Sequence, residues 1–384
     1  MILFVIPQDV AFHAIDWNVI FLLAGMMIIA NVLKETGLFQ WIALQAVRFG
    51  KGDPFRVLIT LSLITAIASS LLDNVTTVVL IAPVTLFVAS TLRVSPLPFL
   101  IAEILASNIG GMATLIGDPP NILIGSAAGI DFVTFAANMG PISVIILLAF
   151  LGLARFLFKK ELTVKDQSNV DIAALDASAL ITDPVLLRKS LIVTTGVIFG
   201  FLLHGALHLE PATIALTGAT LLMLWSKTDP HHALRDIEWT TLFFFFGLFS
   251  TVEAIVEVGL IGVVADAALR LTGGSLPLTS MLLIWFSAIA SGIVDNIPYT
   301  ATMIPIVKSL GQVMPAEPLW WSLALGADLG GNLTLVGAAA NVVVASLADK
   351  SGHPISFGRF LRYGVITTVM SLVLASGYVW LVYL

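Results

Sequence analysis

The stretch NIGGMATLIGDPPN, residues 108–121, returns 220 positions later as DLGGNLTLVGAAAN, residues 328–341. Six of fourteen positions are identical: Gly110/Gly330, Gly111/Gly331, Thr114/Thr334, Leu115/Leu335, Gly117/Gly337 and Asn121/Asn341. Both copies sit inside apolar stretches long enough to cross a bilayer, about 97–128 and 318–347. In hydrocarbon every backbone N–H and C=O needs a partner, so a run this rich in Gly, Thr, Asn and Pro cannot be a lipid-facing helix. Each run must be buried or line a cavity, and each predicts a helix broken within the membrane.

The repeat extends outward from there. At an offset of 222, AIASSLLDN (66–74) falls on AIASGIVDN (288–296), and Trp17, Gly25, Gly37 and Leu38 fall on Trp239, Gly247, Gly259 and Leu260. Further crossings are predicted at about 18–35, 140–158, 190–206, 212–226, 239–255 and 363–383, which makes eight in all. The stretches 56–92 and 277–314 are too long for one crossing and carry an Asp-Asn pair at the middle, so they are predicted as re-entrant helical hairpins. Five crossings then separate Trp17 from Trp239, an odd number that inverts the second copy. The cations agree: sixteen of the eighteen Lys and Arg fall on one side, taken as cytoplasmic, and only Arg270 and Lys308 fall on the other.

The expected fold is an all-α polytopic membrane protein of two inverted-topology repeats, residues 1–158 and 190–384, joined by a polar cytoplasmic linker over 159–189. The first repeat reads as N-terminally short, because the spans at 190–206 and 212–226 have no counterparts before Trp17, and no cleavable signal peptide is evident. Composition supports this reading: 58% hydrophobic and 11% charged residues over 384 positions, with a mean hydropathy of +1.02, exclude a water-soluble globular fold. The absence of cysteine removes thiolate metal sites, disulfides and cysteine nucleophiles. No enzymatic activity, cofactor or nucleic-acid partner is expected. The expected partners are the lipid bilayer and a small ion.

Broken helices at matching places in two inverted halves are the sequence pointer to a transporter's binding site, where free carbonyls and helix ends face the cargo. The candidate ion- and substrate-binding residues are therefore Asn108, Gly110, Gly111, Thr114, Gly117, Asp118 and Asn121 in the first break, and Asp328, Gly330, Gly331, Asn332, Thr334, Gly337 and Asn341 in the second. The hairpin tips add Ser69, Asp73, Asn74, Thr76 and Thr77, with Ser291, Asp295, Asn296 and Thr300 on the other side. Carboxylate, amide and hydroxyl oxygens suit a hard cation such as Na⁺, with Asp73, Asn74, Asp295 and Asn296 as its candidate ligands, and a buried Asp can instead carry a proton. The plainer alternative for the tip aspartates is that they cap helices. Asp118 and Asp328 have no acidic mate, being matched by Ala338 and Asn108, so the two half-sites differ. The glycine pairs could equally be close-packing points between helices.

SNIGGMATLIGDPPNILI (107–124), DNVTTVVLIAPVT (73–85), SGIVDNIPYTATMIPIV (291–307) and GGNLTLVGAAANVVVA (330–345) resemble motifs of the ion transporter superfamily. The resemblance is to the branch of arsenite permeases, P proteins and D-type sodium–proton antiporters, with the P-protein pattern nearest. It implies a homodimeric, elevator-type transporter in the cytoplasmic membrane, in which a mobile unit holding both hairpins and both broken helices moves against a scaffold. Related dicarboxylate carriers bear Ser-Asn-Thr at each tip, where this chain has Asp73-Asn74-Val75 and Asp295-Asn296-Ile297. Fixed carboxylates there oppose a dianion and favour proton coupling, a cation or a neutral cargo. The function expected is ion-coupled transport of a small inorganic ion, by arsenite or antimonite efflux or by Na⁺/H⁺ exchange, with Na⁺ or H⁺ as coupling ion. Alternatives are a Na⁺-coupled di- or tricarboxylate carrier, a passive channel and, more remotely, an intramembrane aspartyl protease using Asp73 and Asp295.

Overall fold

The computed structural model describes residues 5–162, 180–235 and 237–384, and the regular structure among them is helical. The first series is α1 (Gln8–His13), α2 (Trp17–Glu35), α3 (Leu38–Gly50), α4 (Pro54–Leu71), α5 (Asn74–Thr91), α6 (Leu97–Gly111), α7 (Pro119–Ala128) and α8 (Phe132–Phe158). Three helices follow: α9 (Pro184–Leu207), α10 (Pro211–Ser226) and α11 (Pro230–Arg235). The second series is α12 (Trp239–Glu257), α13 (Leu260–Thr272), α14 (Leu276–Val294), α15 (Asn296–Leu310), α16 (Glu317–Gly330), α17 (Ala339–Lys350) and α18 (Phe357–Val382). Of the linker expected over 159–189, residues 163–179 lie outside the described residues.

Helices α2 to α8 match α12 to α18 element by element. Helices α2 and α12 have 19 residues each, and α3 and α13 have 13 each. The turns between them rest on Gly37 and Gly259, whose φ of 79° and 74° is a left-handed conformation that a side chain would strain. Pairs α4–α5 and α14–α15 are the hairpins, α6–α7 and α16–α17 the broken crossings, and α8 and α18 the closing helices. Among the described residues eight helices are long and apolar enough to cross a membrane: α2, α4, α5, α8, α9, α12, α14 and α18.

Hydrogen bonds fix the relative direction of the closing helices. At one end Glu161, just after α8, pairs with Arg359 at the start of α18 at 2.7 Å and accepts from the Tyr363 hydroxyl. At the other, Asn138 near the start of α8 accepts from Tyr378 at 2.7 Å and Tyr383 at 2.5 Å, at the end of α18. Helices α8 and α18 therefore run antiparallel to each other.

Helices α9 and α10 pack on α2 so closely that a Cβ on Gly25 would lie 2.8 Å from the Ala215 carbonyl carbon. Gly247, the mate of Gly25 on α12, has no neighbour within 4 Å of such a Cβ. The asymmetry foreseen in the sequence thus appears as a covered face on α2 and an open one on α12.

Candidate functional site

Each hairpin runs alongside its broken crossing, and the same contacts recur in both halves. Ser69 Oγ donates to Ser107 O at 2.8 Å, and its mate Ser291 Oγ donates to Ala327 O at 2.7 Å. Thr114 Oγ1 donates to Ser70 O, and Thr334 Oγ1 to Gly292 O, both at 2.5 Å. A Cβ on Gly110 would fall 2.2 Å from Ala66 O, and one on Gly330 would fall 2.5 Å from Ala288 O. These glycines are close-packing points where hairpin and crossing backbones touch.

The breaks themselves share a clip. Asn121 Nδ2 donates to Gly111 O at 3.3 Å and Thr114 O at 3.0 Å, across its own break, and Asn341 Nδ2 donates to Gly331 O at 2.7 Å and Thr334 O at 2.9 Å. Carbonyls released by the broken helix thereby regain donors. Pro119 and Pro120 open α7 but have no counterparts before α17, so the clip, not proline, is what the two breaks have in common. Gly117 and Gly337 complete it, with virtual Cβ atoms 2.3 Å from Gly111 O and 2.9 Å from Gly331 O.

The tips converge on one acid. Asn74 Nδ2 donates to Asp118 Oδ2 at 2.8 Å, and Asn296 Nδ2, from the other hairpin, donates to Asp118 Oδ1 at 3.2 Å. Asp118 is fully buried, at 0% exposure, at the entrance to α7. Around it runs a web of amides: Asn74 also reaches Asn108 Oδ1 at 3.3 Å, while Asn108 Nδ2 donates to Asn332 Oδ1 at 3.0 Å and Asn341 Oδ1 at 3.1 Å. Asn332 Nδ2 closes back on Leu105 O at 3.3 Å. The two breaks are thus stitched together across the inverted repeat.

The tip aspartates point elsewhere. Asp73 caps α5, accepting from Thr76 N at 2.8 Å and from the Thr76 hydroxyl. Asp295 caps α15 through Ile297 N at 2.9 Å, with its own φ at 100°. That backbone turn directs Asn296 N to Gly337 O at 3.1 Å. Thr77 and Thr300 are buried with hydroxyls that have no partner, as are both carboxyl oxygens of Asp328 and Oδ1 of Asn121. Among the described residues, then, the predicted set divides into a central cluster (Asn74, Asn108, Asp118, Asn121, Asn296, Asp328, Asn332, Asn341) and a shell of packing, clipping and capping groups.

One polar cavity borders the first hairpin and another borders α7. One, of about 310 Å³, is lined by Thr76 at the first tip together with Asn31, Lys34 and Glu238. The other, of about 670 Å³, opens between α2, α9 and α10 on one side and α7 on the other, among Asp16, Asn18, Ser126, Asp131, His204 and Glu210. There Ser126 donates to Asp16, and the Phe132 amide donates to His204 Nε2 at 2.9 Å. Sequence reasoning did not select Glu238 or Ser107, whose hydroxyl lies 3.1 Å from Ser69 Oγ; Ser107 is matched by Ala327, so the repeat gave no signal for it.

Comparison with known proteins places this geometry in a family. The family described as "CitMHS: Citrate transporter" matches residues 1–326. An uncharacterized transporter of Mycobacterium tuberculosis is 48% identical over 373 residues, covering 96% of this chain and 87% of that protein. The human P protein is 34% identical over 450 aligned positions, covering 95% of this chain but only 54% of its own length. The YdaH transporter of Alcanivorax borkumensis, whose crystal structure is described as having an unusual topology, superposes with a TM-score of 0.62 at 16% identity, over 94% of this chain and 84% of that one. That likeness carries the fold alone. The chain therefore belongs to the citrate transporter family within the ion transporter superfamily, and it is a multi-pass membrane transporter.

Proposed function

We propose that the protein is an ion-coupled secondary transporter of the cytoplasmic membrane that exchanges a small cation, of the Na⁺ class, for protons. The observation that carries this reading is the meeting of Asn74 and Asn296, one from each hairpin, on the single buried carboxyl of Asp118. A site closed by both tips can be opened by either, which is what alternating access requires of two gates related by inversion. The acids near the centre are Asp118, Asp328, Asp295 and Asp73, and no lysine or arginine side chain bonds to the central amides among the described residues. Such a field attracts cations and repels free anions. Polar cavities bordering α2, α9 and α10 support a sliding boundary, with hairpins, broken helices, α8 and α18 as the mobile part of a homodimeric elevator. Under this proposal residues 1–158 and 190–384 are the two repeats.

A second reading follows from the family description: a citrate-like carboxylate as cargo, which four surrounding acids would admit only with a charge-compensating cation. Arsenite efflux is the third, with neutral arsenous acid held by the amides. Reconstituted vesicles challenged in turn with Na⁺, Li⁺, arsenite and citrate, with and without Mg²⁺, separate them. Cation-driven proton movement that Asp118→Asn abolishes is the expected result. Proton movement driven by citrate or arsenite alone would replace the cation reading.

A further inference from the structure

His204 stands in the last turn of α9 with both ring nitrogens engaged. Nδ1 lies 3.2 Å from Leu209 O, and Nε2 lies 2.9 Å from the Phe132 amide nitrogen at the start of α8. A carbonyl can only accept and an amide N–H can only donate, so the ring hydrogen is on Nδ1, Nε2 is bare and the imidazole is neutral. The Phe132 amide is one of the first donors of α8, which the helix cannot satisfy within itself. The Asp131 cap does not serve it, being engaged with Thr134 through the amide at 2.9 Å and the hydroxyl at 2.8 Å. Helix α9 is therefore tied to α8 through an acceptor that a single proton removes. Water has a route to it, because His204, itself 8% exposed, lines the cavity of about 670 Å³.

We propose that His204 is a proton-operated latch on the boundary between α9 and α8. A proton on Nε2 sets two N–H donors against each other and puts a positive charge at the N-terminal end of α8, where the helix dipole opposes it. The ring then leaves the Phe132 amide for the acids around it. These are Asp131 before α8, Asp16 before α2 and Glu210 before α10, all lining the same cavity, with His208 as the other titratable group and no charge from α7. Asp131 packs directly on α9: a Cβ on Gly205 would lie 3.4 Å from Asp131 Cβ. Asp16 already accepts from the amides of Asn18 and Val19 and from Ser126, whereas Glu210 makes no cap bond. The cations of these helices, Lys34 on α2, Arg155 on α8, and Arg188 and Lys189 on α9, sit toward the opposite ends, and Lys227 follows the far end of α10. By the cation bias of the chain, the latch faces away from the cytoplasm.

Resting on the transport reading above, the latch makes acidity on that face a control on the movement of α8 against α9, separate from any proton that is exchanged. The chain has no cysteine, so spin labels at Val133→Cys on α8 and Leu207→Cys on α9, both exposed positions, report the distance across the boundary in lipid nanodiscs. Pulsed electron resonance at about pH 8 and about pH 5 brackets the range in which histidine changes charge. One short distance is expected at the higher pH and a second, longer one at the lower. His204→Gln, whose side-chain oxygen accepts from Phe132 without titrating, is expected to hold the short distance at both. Asp131→Asn and His208→Gln are expected to keep the response. A labelled parent that does not move between the two pH values overturns the proposal. So does a response that survives in His204→Gln, a long distance in His204→Gln at the higher pH, or a response lost in either control. No transported ion enters the measurement, so its failure leaves cation–proton exchange standing. Conversely, wild-type vesicles that couple no ion to protons would sink that reading and leave the distance change.

Discussion

Removing the two amides that meet at Asp118 should cost more together than the sum of their separate effects. Asn74 donates at 2.8 Å and Asn296 at 3.2 Å, each to a different oxygen of the same fully buried carboxyl. A hydrogen bond contributes about 0.5–1.5 kcal/mol net, so Asn74→Ala belongs near the top of that range and Asn296→Ala near the bottom. With one amide gone the other still serves the carboxyl. With both gone the buried carboxyl has lost both donors, and a buried polar group left unsatisfied costs about 1–3 kcal/mol. The excess should shrink in Asp118→Asn, whose amide offers one acceptor oxygen where the carboxyl offers two, at roughly 0.6 kcal/mol for a typical polar pair between membrane helices. Tryptophan fluorescence, from eight tryptophans, reads the thermal midpoint in detergent for singles, double and triple. Strict additivity of the two alanine variants, unchanged by Asp118→Asn, would refute the convergence of the tips on that acid.

Three other outcomes follow from the same packing. Gly25→Ala should destabilise by about 1–3 kcal/mol through overpacking, since its new methyl would meet Ala215 at 2.8 Å, while Gly247→Ala, in open space, should gain up to about 1 kcal/mol of helix propensity; equal thermal shifts would contradict this. Glu238, just outside α12, has its carboxyl pushed above the usual 4.5 by burial and then by the charge of Asp73. A raised acid contributes stability that is present below the unfolded value and lost as pH rises through the folded one. Glu238→Gln should therefore match wild type in thermal midpoint near pH 4 and exceed it at pH 8, and a gain confined to acid would be the wrong sign. Thr85 donates to Glu103 between α5 and α6, where the second half has the buried apolar pair Val307 and Leu323. Replacing both partners together, Thr85→Val with Glu103→Leu, should cost less in thermal midpoint than Thr85→Val alone, because the single change strands a buried carboxyl.

Much of this was legible in the chain, and the reason is physical. Polar and glycine-rich runs are expensive in hydrocarbon, so 107–121 and 327–341 announce broken helices, and their duplication with an odd crossing count announces inversion. Local chemistry was legible too: an Asp-Asn pair at a hairpin tip can cap, and Asp73 and Asp295 both do so over two or three residues. What a single sequence does not carry is partnership across space. Asn74 meets Asp118 over 44 positions and Asn296 meets it over 178, because the second hairpin packs against α7 of the first series and α17 packs against α5. No spacing rule reports that exchange. The same holds for Asn108, Asn332 and Asn341, whose mutual bonds cross the repeat at separations of 224 and 233 positions.

Simultaneous recording of radiolabelled sodium and internal pH in vesicles holding the wild-type protein tests cation–proton exchange most directly. With the interior made acidic and sodium equal on both sides, cation–proton exchange gives sodium accumulation against its gradient with proton loss in step, and a protonophore abolishes the accumulation. Sodium that moves only downhill, with internal pH unmoved and no response to the protonophore, would contradict it and indicate a passive pore.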